Sequence, residues 1–195
     1  IILLGVQIVT AQTSSITINE GSDHWILPNL VCEGALCNTR ITPAGNITIV
    51  DTTANQLYVS IRNEDHYTQY DLQAMSTFMN GFVDFIPLDA SSKIVFASDT
   101  GSAVLGEYDT TTRSFTQLNL SEYGRIKSCN NYLATAIAPQ GYILPIGIGS
   151  QFLFCSFDEN SELTVHIYDV SSNQVQNLDF GAKGIGDNSQ GKRWN

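Results

Sequence analysis

The chain is predicted to be all-β, assembled from repeated four-stranded antiparallel units, and three observations predict it. Residues 45–78, 81–118 and 141–178 each run through apolar strand, short turn, apolar strand, polar hairpin, Tyr-Asp, turn and apolar step. The Tyr-Asp anchors are Tyr70-Asp71, Tyr108-Asp109 and Tyr168-Asp169. Leu163, Val165 and Ile167 alternate with Thr164, His166 and Tyr168, the period of a half-buried strand. No long stretch carries a helical period, and 72–79 comes nearest.

Taken in order, the first strands are Ile47-Thr48-Ile49-Val50, Phe82-Val83-Asp84-Phe85-Ile86 and Tyr142-Ile143-Leu144-Pro145-Ile146. The second strands are Leu57-Tyr58-Val59-Ser60, Ile94-Val95-Phe96-Ala97 and Phe152-Leu153-Phe154-Cys155. Polar turn residues at 51–55, 89–92 and 158–161 separate these runs. Each Tyr-Asp is followed by a turn and then by Phe78, Phe115 or Val175 as the apolar step of a fourth strand. A strand-only repeat with a period of roughly 40 to 50 residues is the mark of β-propeller blades, with a β-sandwich as the alternative. The third unit is spaced further from the second because 121–140 reads as an inserted loop containing Cys129. About three blades do not close a ring of roughly four to eight, so an incomplete ring is expected. The segment 13–45 precedes the blades of 46–180, and 181–195 reads as a Gly-rich tail or the start of a further blade.

Residues 1–12 read as the remnant of a secretory signal peptide or as an N-terminal strand. Ile1-Ile2-Leu3-Leu4-Gly5-Val6 has the apolar character of a leader, and Val9-Thr10-Ala11 places small residues before Gln12. The run is shorter than the about 20 apolar residues a membrane-spanning helix needs, so no membrane span is expected. Four cysteines fit two disulfides, with Cys32 and Cys37 closing a small loop and Cys129 and Cys155 tying the insertion to the third unit. Free thiols and a zinc site are the alternatives, zinc the weaker because the spacing is wide and His24, His66 and His166 are scattered. The sequons Asn46-Ile47-Thr48 and Asn119-Leu120-Ser121 fall at strand edges or turns, where a sugar could stay in solvent.

With 195 residues and 43% hydrophobic content, the chain can bury a sizeable core. Only 14% of its residues are charged, a balance that fits secreted β-proteins. A net charge of −10 argues against nucleic acid as a partner, which needs clustered Lys and Arg rather than nine spread thinly.

Several motifs approach a chemistry without completing it. Gly186-Asp187-Asn188-Ser189-Gln190-Gly191-Lys192 opens like a phosphate-binding loop, but Arg193 stands where the metal-binding hydroxyl belongs. Asp158-Glu159-Asn160-Ser161-Glu162 alternates oxygen ligands, but Leu163 replaces the glycine of a calcium loop. No Gly-x-Ser-x-Gly elbow is present. His166 is expected to be packed or solvated, and Asp84 on a first strand is a lone carboxylate without an acid/base partner. No catalytic, cofactor or metal residues are assigned.

Ser156-Phe157-Asp158-Glu159-Asn160-Ser161-Glu162-Leu163 resembles the Asp-box hairpin of sialidase-type propellers, as does Ala97-Ser98-Asp99-Thr100-Gly101-Ser102-Ala103-Val104 without the leading Ser. The terminal aromatic and an arginine triad are missing, which separates the chain from the sialidases. The period is similar to kelch-type propellers, without their Gly-Gly doublet. These resemblances imply a generic extracellular propeller. The expected function is a secreted or cell-surface, non-catalytic module binding protein or glycan through loops, with Trp25, Tyr123 and Tyr132 as candidate contacts and Trp194 in a similar loop-like segment. The alternatives are an extracellular propeller hydrolase, lyase or oxidase, or a self-associating structural subunit of a coat or filament.

Overall fold

The computed structural model of the chain describes residues 15–29, 37–99, 103–127, 143–145, 149–157 and 163–178. Strands β1 (Ser15–Glu20) and β2 (Asp23–Pro28) form a two-stranded antiparallel sheet. Strands β3 (Cys37–Ile41), β4 (Ile47–Asp51), β5 (Gln56–Ser60) and β6 (Tyr67–Asp71) form the first four-stranded meander. A 3-10 turn at Gln73–Met75 and the single-turn helix α1 (Ser76–Met79) lead to the second meander, β7 (Phe82–Pro87), β8 (Lys93–Asp99), β9 (Ala103–Asp109) and β10 (Ser114–Gln117). A short strand, β11 (Arg125–Lys127), precedes the third, β12 (Ile143–Pro145), β13 (Gln151–Phe157), β14 (Leu163–Asp169) and β15 (Gln174–Leu178). Strand β11 pairs with β13 and meets β9 through Ile126 opposite Ala103, joining the second and third meanders into one open hydrogen-bonded path. Every pairing among the described strands is antiparallel.

The second and third sheets begin and end where the repeat predicts, but the first is displaced by one strand. Tyr108-Asp109 and Tyr168-Asp169 close third strands, β9 and β14, whereas Tyr70-Asp71 closes a fourth strand, β6. The additional strand is β3, whose Cys-Asn-Thr-Arg-Ile sequence lacks the apolar alternation that flags a strand. Phe78 therefore lies in α1 rather than in a fourth strand, and its ring meets Phe115 edge-on at 4.9 Å between centroids. The described part of the insertion is not a plain loop either, since it carries a 3-10 turn at Ser121–Tyr123 and β11. Residues 1–12, Cys32, 100–102, Cys129, Tyr132, 158–162 and 179–195, including Trp194, lie outside the described residues.

The acid of each Tyr-Asp pair is a turn residue. Asp169 Oδ1 accepts the Ser171 N–H at 2.9 Å, and Asp109 Oδ1 accepts the Thr111 N–H at 2.8 Å. Asp51 Oδ1 does the same for Thr53 and Ala54, both at 2.9 Å. After each of these acids the backbone turns left-handed, at Asn55 (φ 52°), Arg113 (φ 56°) and Asn173 (φ 54°). An acid that caps a turn followed by a left-handed residue is the chemistry of a short hairpin. Hydrogen bonds from Gln151, Ser171 and Ser150 hold the Asp169 carboxyl well below its ordinary 3.8, against the opposing effect of burial. A depressed carboxylate stabilises the fold above 3.8 and loses that contribution as pH falls through its lower folded value. Asp169→Ala is expected to cost about 1 kcal/mol at neutral pH, read as a lower urea midpoint, with the deficit shrinking in strong acid.

The sheets pack face to face in chain order. Trp25 and Leu27 of β2 cover one face of the first sheet against Ile47, Ile49 and Tyr58. Val50 and Leu57 on its other face pack with Leu72, Met75 and Phe78 against Phe85, Ile94 and Phe96 of the second sheet. Val95, Ala97 and Leu105 on the far side of the second sheet meet Phe152, Phe154 and Tyr168 of the third. Both faces of β8 are therefore buried, which is why Ile94-Val95-Phe96-Ala97 is a continuous apolar run instead of an alternating one. The face of β14 that carries His166 and Tyr168 is buried as well.

Gly106 marks a close approach on β9. A Cβ there would stand 2.4 Å from the Phe115 ring. Gly106→Ala is expected to displace that ring and cost about 1–3 kcal/mol, measured by thermal unfolding; an unchanged melting temperature would refute the crowding.

Candidate functional site

The most built feature at a loop end is a groove of about 230 Å³ between the first and second sheets. Its walls come from the loop joining β3 to β4, the end of β5, the loop joining β7 to β8, and the start of the loop after β9. Val59, Leu88 and Ile94 supply an apolar floor, and Thr42, Asp89, Ser91 and Thr110 supply polar groups around it.

The 42–46 loop is fixed from several sides. The Gly45 N–H donates to Thr42 O at 2.8 Å, and the Asn46 N–H donates to Thr42 Oγ1 at 3.1 Å. Gly45 sits at φ +89°, a conformation that suits glycine, and the Arg62 side chain lies 3.1 Å from where a Cβ would be. From behind, the Trp25 indole donates to Gly45 O at 2.7 Å. From the opposite wall, Asp89 accepts the Ala44 N–H at 2.8 Å and the Asn46 amide at 3.4 Å. Asp89 therefore holds the loops of two neighbouring sheets at a set spacing.

Asp23 supports the same loop indirectly, since it pairs with Arg62, whose own N–H donates to Asn46 Oδ1 at 3.2 Å. The Arg62 hydrogen bond, with help from Asn63, holds the Asp23 carboxyl below its ordinary value. Ile61, 44% exposed, stands on the rim, and Ile41, 69% exposed, ends β3 at the same end of the first sheet.

The candidate contacts fall in different places. Trp25 is buried among Leu27, Ile47 and Tyr58, so it positions the loop and presents no face to a ligand. Tyr123 is half-buried, its ring edge-on to Phe154 and 5.2 Å from the His166 ring, which anchors the 121–123 turn. Its hydroxyl is pushed above the ordinary value by the hydrogen bond with Glu122. Asn46 lines the groove, whereas Asn119 lies exposed at the other end of the second sheet. Neither described cysteine, Cys37 nor Cys155, is a free thiol. The partners expected for them, Cys32 and Cys129, lie outside the described residues.

Asp84 is not alone. A register shift between Phe82 and Asp84 lets its carboxylate face the first sheet, where the Arg40 guanidinium of β3 donates to it at 2.5 Å. Asp84 is 3% exposed and also accepts the Phe85 N–H at 2.9 Å. His166 is buried and bonded at both ring nitrogens, to Ser156 Oγ and Asn177 Oδ1, each at 2.7 Å. Lys93 pairs with Glu107 at 2.8 Å across the neighbouring strands β8 and β9. Arg40–Asp84 therefore ties the first sheet to the second, whereas the His166 and Lys93 contacts bridge strands within one sheet. No set of three or more His, Cys, Asp or Glu among the described residues is arranged to hold a metal, and no described helix is long and apolar enough to cross a membrane.

No protein-family model matches the chain, and no characterised protein matches it in sequence.

Proposed function

We propose that the chain is a secreted or cell-surface, non-catalytic binding module of β-propeller type, taking a protein or glycan ligand in the groove between its first two sheets. Successive four-stranded antiparallel sheets packed face to face in chain order support the propeller part of this reading. The observation that carries the binding part is the pinned 42–46 loop, tied across the groove by Asp89 and flanked by exposed Ile61. A rigid loop pair with an apolar floor and hydroxyl-bearing rim suits a ligand that offers both apolar and hydrogen-bonding faces, as sugars do. The half-cystines at Cys37 and Cys155 suit an oxidising compartment.

Glycan-array screening of the purified full chain tests the reading. Ile61→Ala touches an exposed side chain, so the fold is expected to persist while a selected glycan binds at least about tenfold more weakly, close to 1.4 kcal/mol. Asp89→Ala is expected to weaken it further by freeing the loop. Binding unchanged in both variants would remove the groove as the site.

A second reading is favoured by β1. All six of its residues are exposed, it pairs only with β2 among the described strands, and Ile16 and Ile18 are 48% and 41% exposed. An open edge with apolar side chains suits strand addition from a neighbouring copy. Self-assembly by light scattering that disappears in Ile16→Lys/Ile18→Lys would favour the structural-subunit role.

A further inference from the structure

We propose that Asn119, and not Asn46, carries an N-linked glycan, and that its first sugars lie in the adjoining groove of about 570 Å³ formed around β10, the 118–124 segment and β11. The inference rests on the secretion reading above for its compartment, but the choice between the two sequons rests on the fold.

The reacting atom in either sequon is the asparagine Nδ2. It forms a bond to the anomeric carbon of an N-acetylglucosamine, while the bond from that carbon to a lipid-linked diphosphate donor breaks. The diphosphate leaves with the electron pair, and the Nδ2 proton passes to solvent. The modified nitrogen must afterwards tolerate a bulky sugar in the folded protein.

At Asn46 it does not. That side chain is half-buried between two sheets, with Nδ2 directed at Asp89 and Oδ1 accepting the Arg62 N–H. A sugar bonded to that nitrogen would take the place of its hydrogen bond to Asp89 and loosen the 42–46 loop that Asp89 holds.

Asn119 is exposed, and its carbonyl accepts the Ser121 hydroxyl at 2.9 Å. Its Nδ2 makes no hydrogen bond among the described residues, so a sugar displaces nothing. The neighbouring groove has a floor of Val104, Leu118 and Ile126, with Gln117 and Arg125 beside it. Its volume lies within the about 300–1,000 Å³ of small-ligand pockets. An amphipathic sugar tethered at the rim has the apolar face for that floor and hydroxyls for the rim.

The full chain would be expressed in a eukaryotic secretory host behind a heterologous leader. Intact mass before and after enzymatic deglycosylation would be read for wild type, Asn46→Gln, Asn119→Gln and Ser121→Ala. One glycan is expected, unchanged in Asn46→Gln and lost in both Asn119→Gln and Ser121→Ala, the last removing the sequon without altering Asn119. Amide exchange over 117–126 is expected to be slower in the glycosylated protein than in Ser121→Ala. A glycan at Asn46, or none at Asn119 behind the heterologous leader, overturns the assignment. Occupancy at Asn119 with identical exchange overturns the seating of the sugar. Free thiols at Cys37 and Cys155 in the secreted protein, read by alkylation and mass spectrometry, would refute the compartment reading and leave the site test intact.

Discussion

Phe154→Ala is expected to lower stability by about 3–5 kcal/mol, a large share of the roughly 5–15 kcal/mol that holds a domain of this size. Phe154 is fully buried on β13, in the layer where the second and third sheets meet. Its ring stacks on His166 at 4.6 Å with 18° between planes, and Tyr123 meets it edge-on at 6.2 Å. Truncation removes the transfer free energy of the ring and leaves a cavity that two packed sheets cannot collapse into. Urea unfolding followed by circular dichroism measures the loss, and a change below about 1 kcal/mol would mean the two sheets are not packed as described.

The same substitution has a signature in pH. Burial pushes the His166 imidazole below its ordinary 6.5, with the Asn177 hydrogen bond opposing. A folded value depressed below the unfolded one stabilises the protein above 6.5 and is lost as pH falls through the folded value. Opening a cavity beside the ring lets water reach it. The His166 resonance of Phe154→Ala is therefore expected to titrate closer to 6.5 than that of wild type, and its loss of stability on acidification below that pH to be shallower.

Much of this layering was legible in the residues because it is written locally. Period-2 alternation marks β14, turn-forming acids mark the ends of β9 and β14, and the continuous apolar run of β8 marks a strand buried on both faces. The first sheet departs from the repeat for a physical reason. The acid of Tyr-Asp caps whatever turn follows, so the pair can close a fourth strand as well as a third, as at Asp71, where the Gln73 N–H is accepted at 2.8 Å. A better guide was the acid followed by a left-handed Asn or Arg, seen at Asp51–Asn55, Asp109–Arg113 and Asp169–Asn173. Strand β3 is not legible, because its mostly polar residues carry no apolar period and take their places from hairpin pairing with β4. The candidate groove was legible only as turn residues around Asp89, whose partners Ala44 and Asn46 lie more than forty positions away. Composition does not distinguish a buried indole that holds a loop, as Trp25 does, from an exposed one that meets a ligand.

The Arg40–Asp84 pair is the sharpest case of a contact invisible in sequence, since the partners are 44 residues apart. It also carries the second large effect. Arg40→Met keeps the apolar stem and deletes the charge, leaving the carboxylate, 3% exposed, without the guanidinium. Removing one member of a buried pair costs about 3–5 kcal/mol; because Arg40 is itself 35% exposed, the low end, about 3 kcal/mol, is expected at neutral pH. The stability difference from wild type is read between about pH 4 and pH 7, where a carboxylate of the unfolded chain is ionised. Arg40→Met/Asp84→Leu removes both charges and is expected to recover most of the loss, because an apolar pair of similar volume avoids desolvating ions. Urea midpoints of the three proteins across that pH range decide the matter: a single variant as stable as wild type at pH 7 would show that the pair does not tie the first sheet to the second.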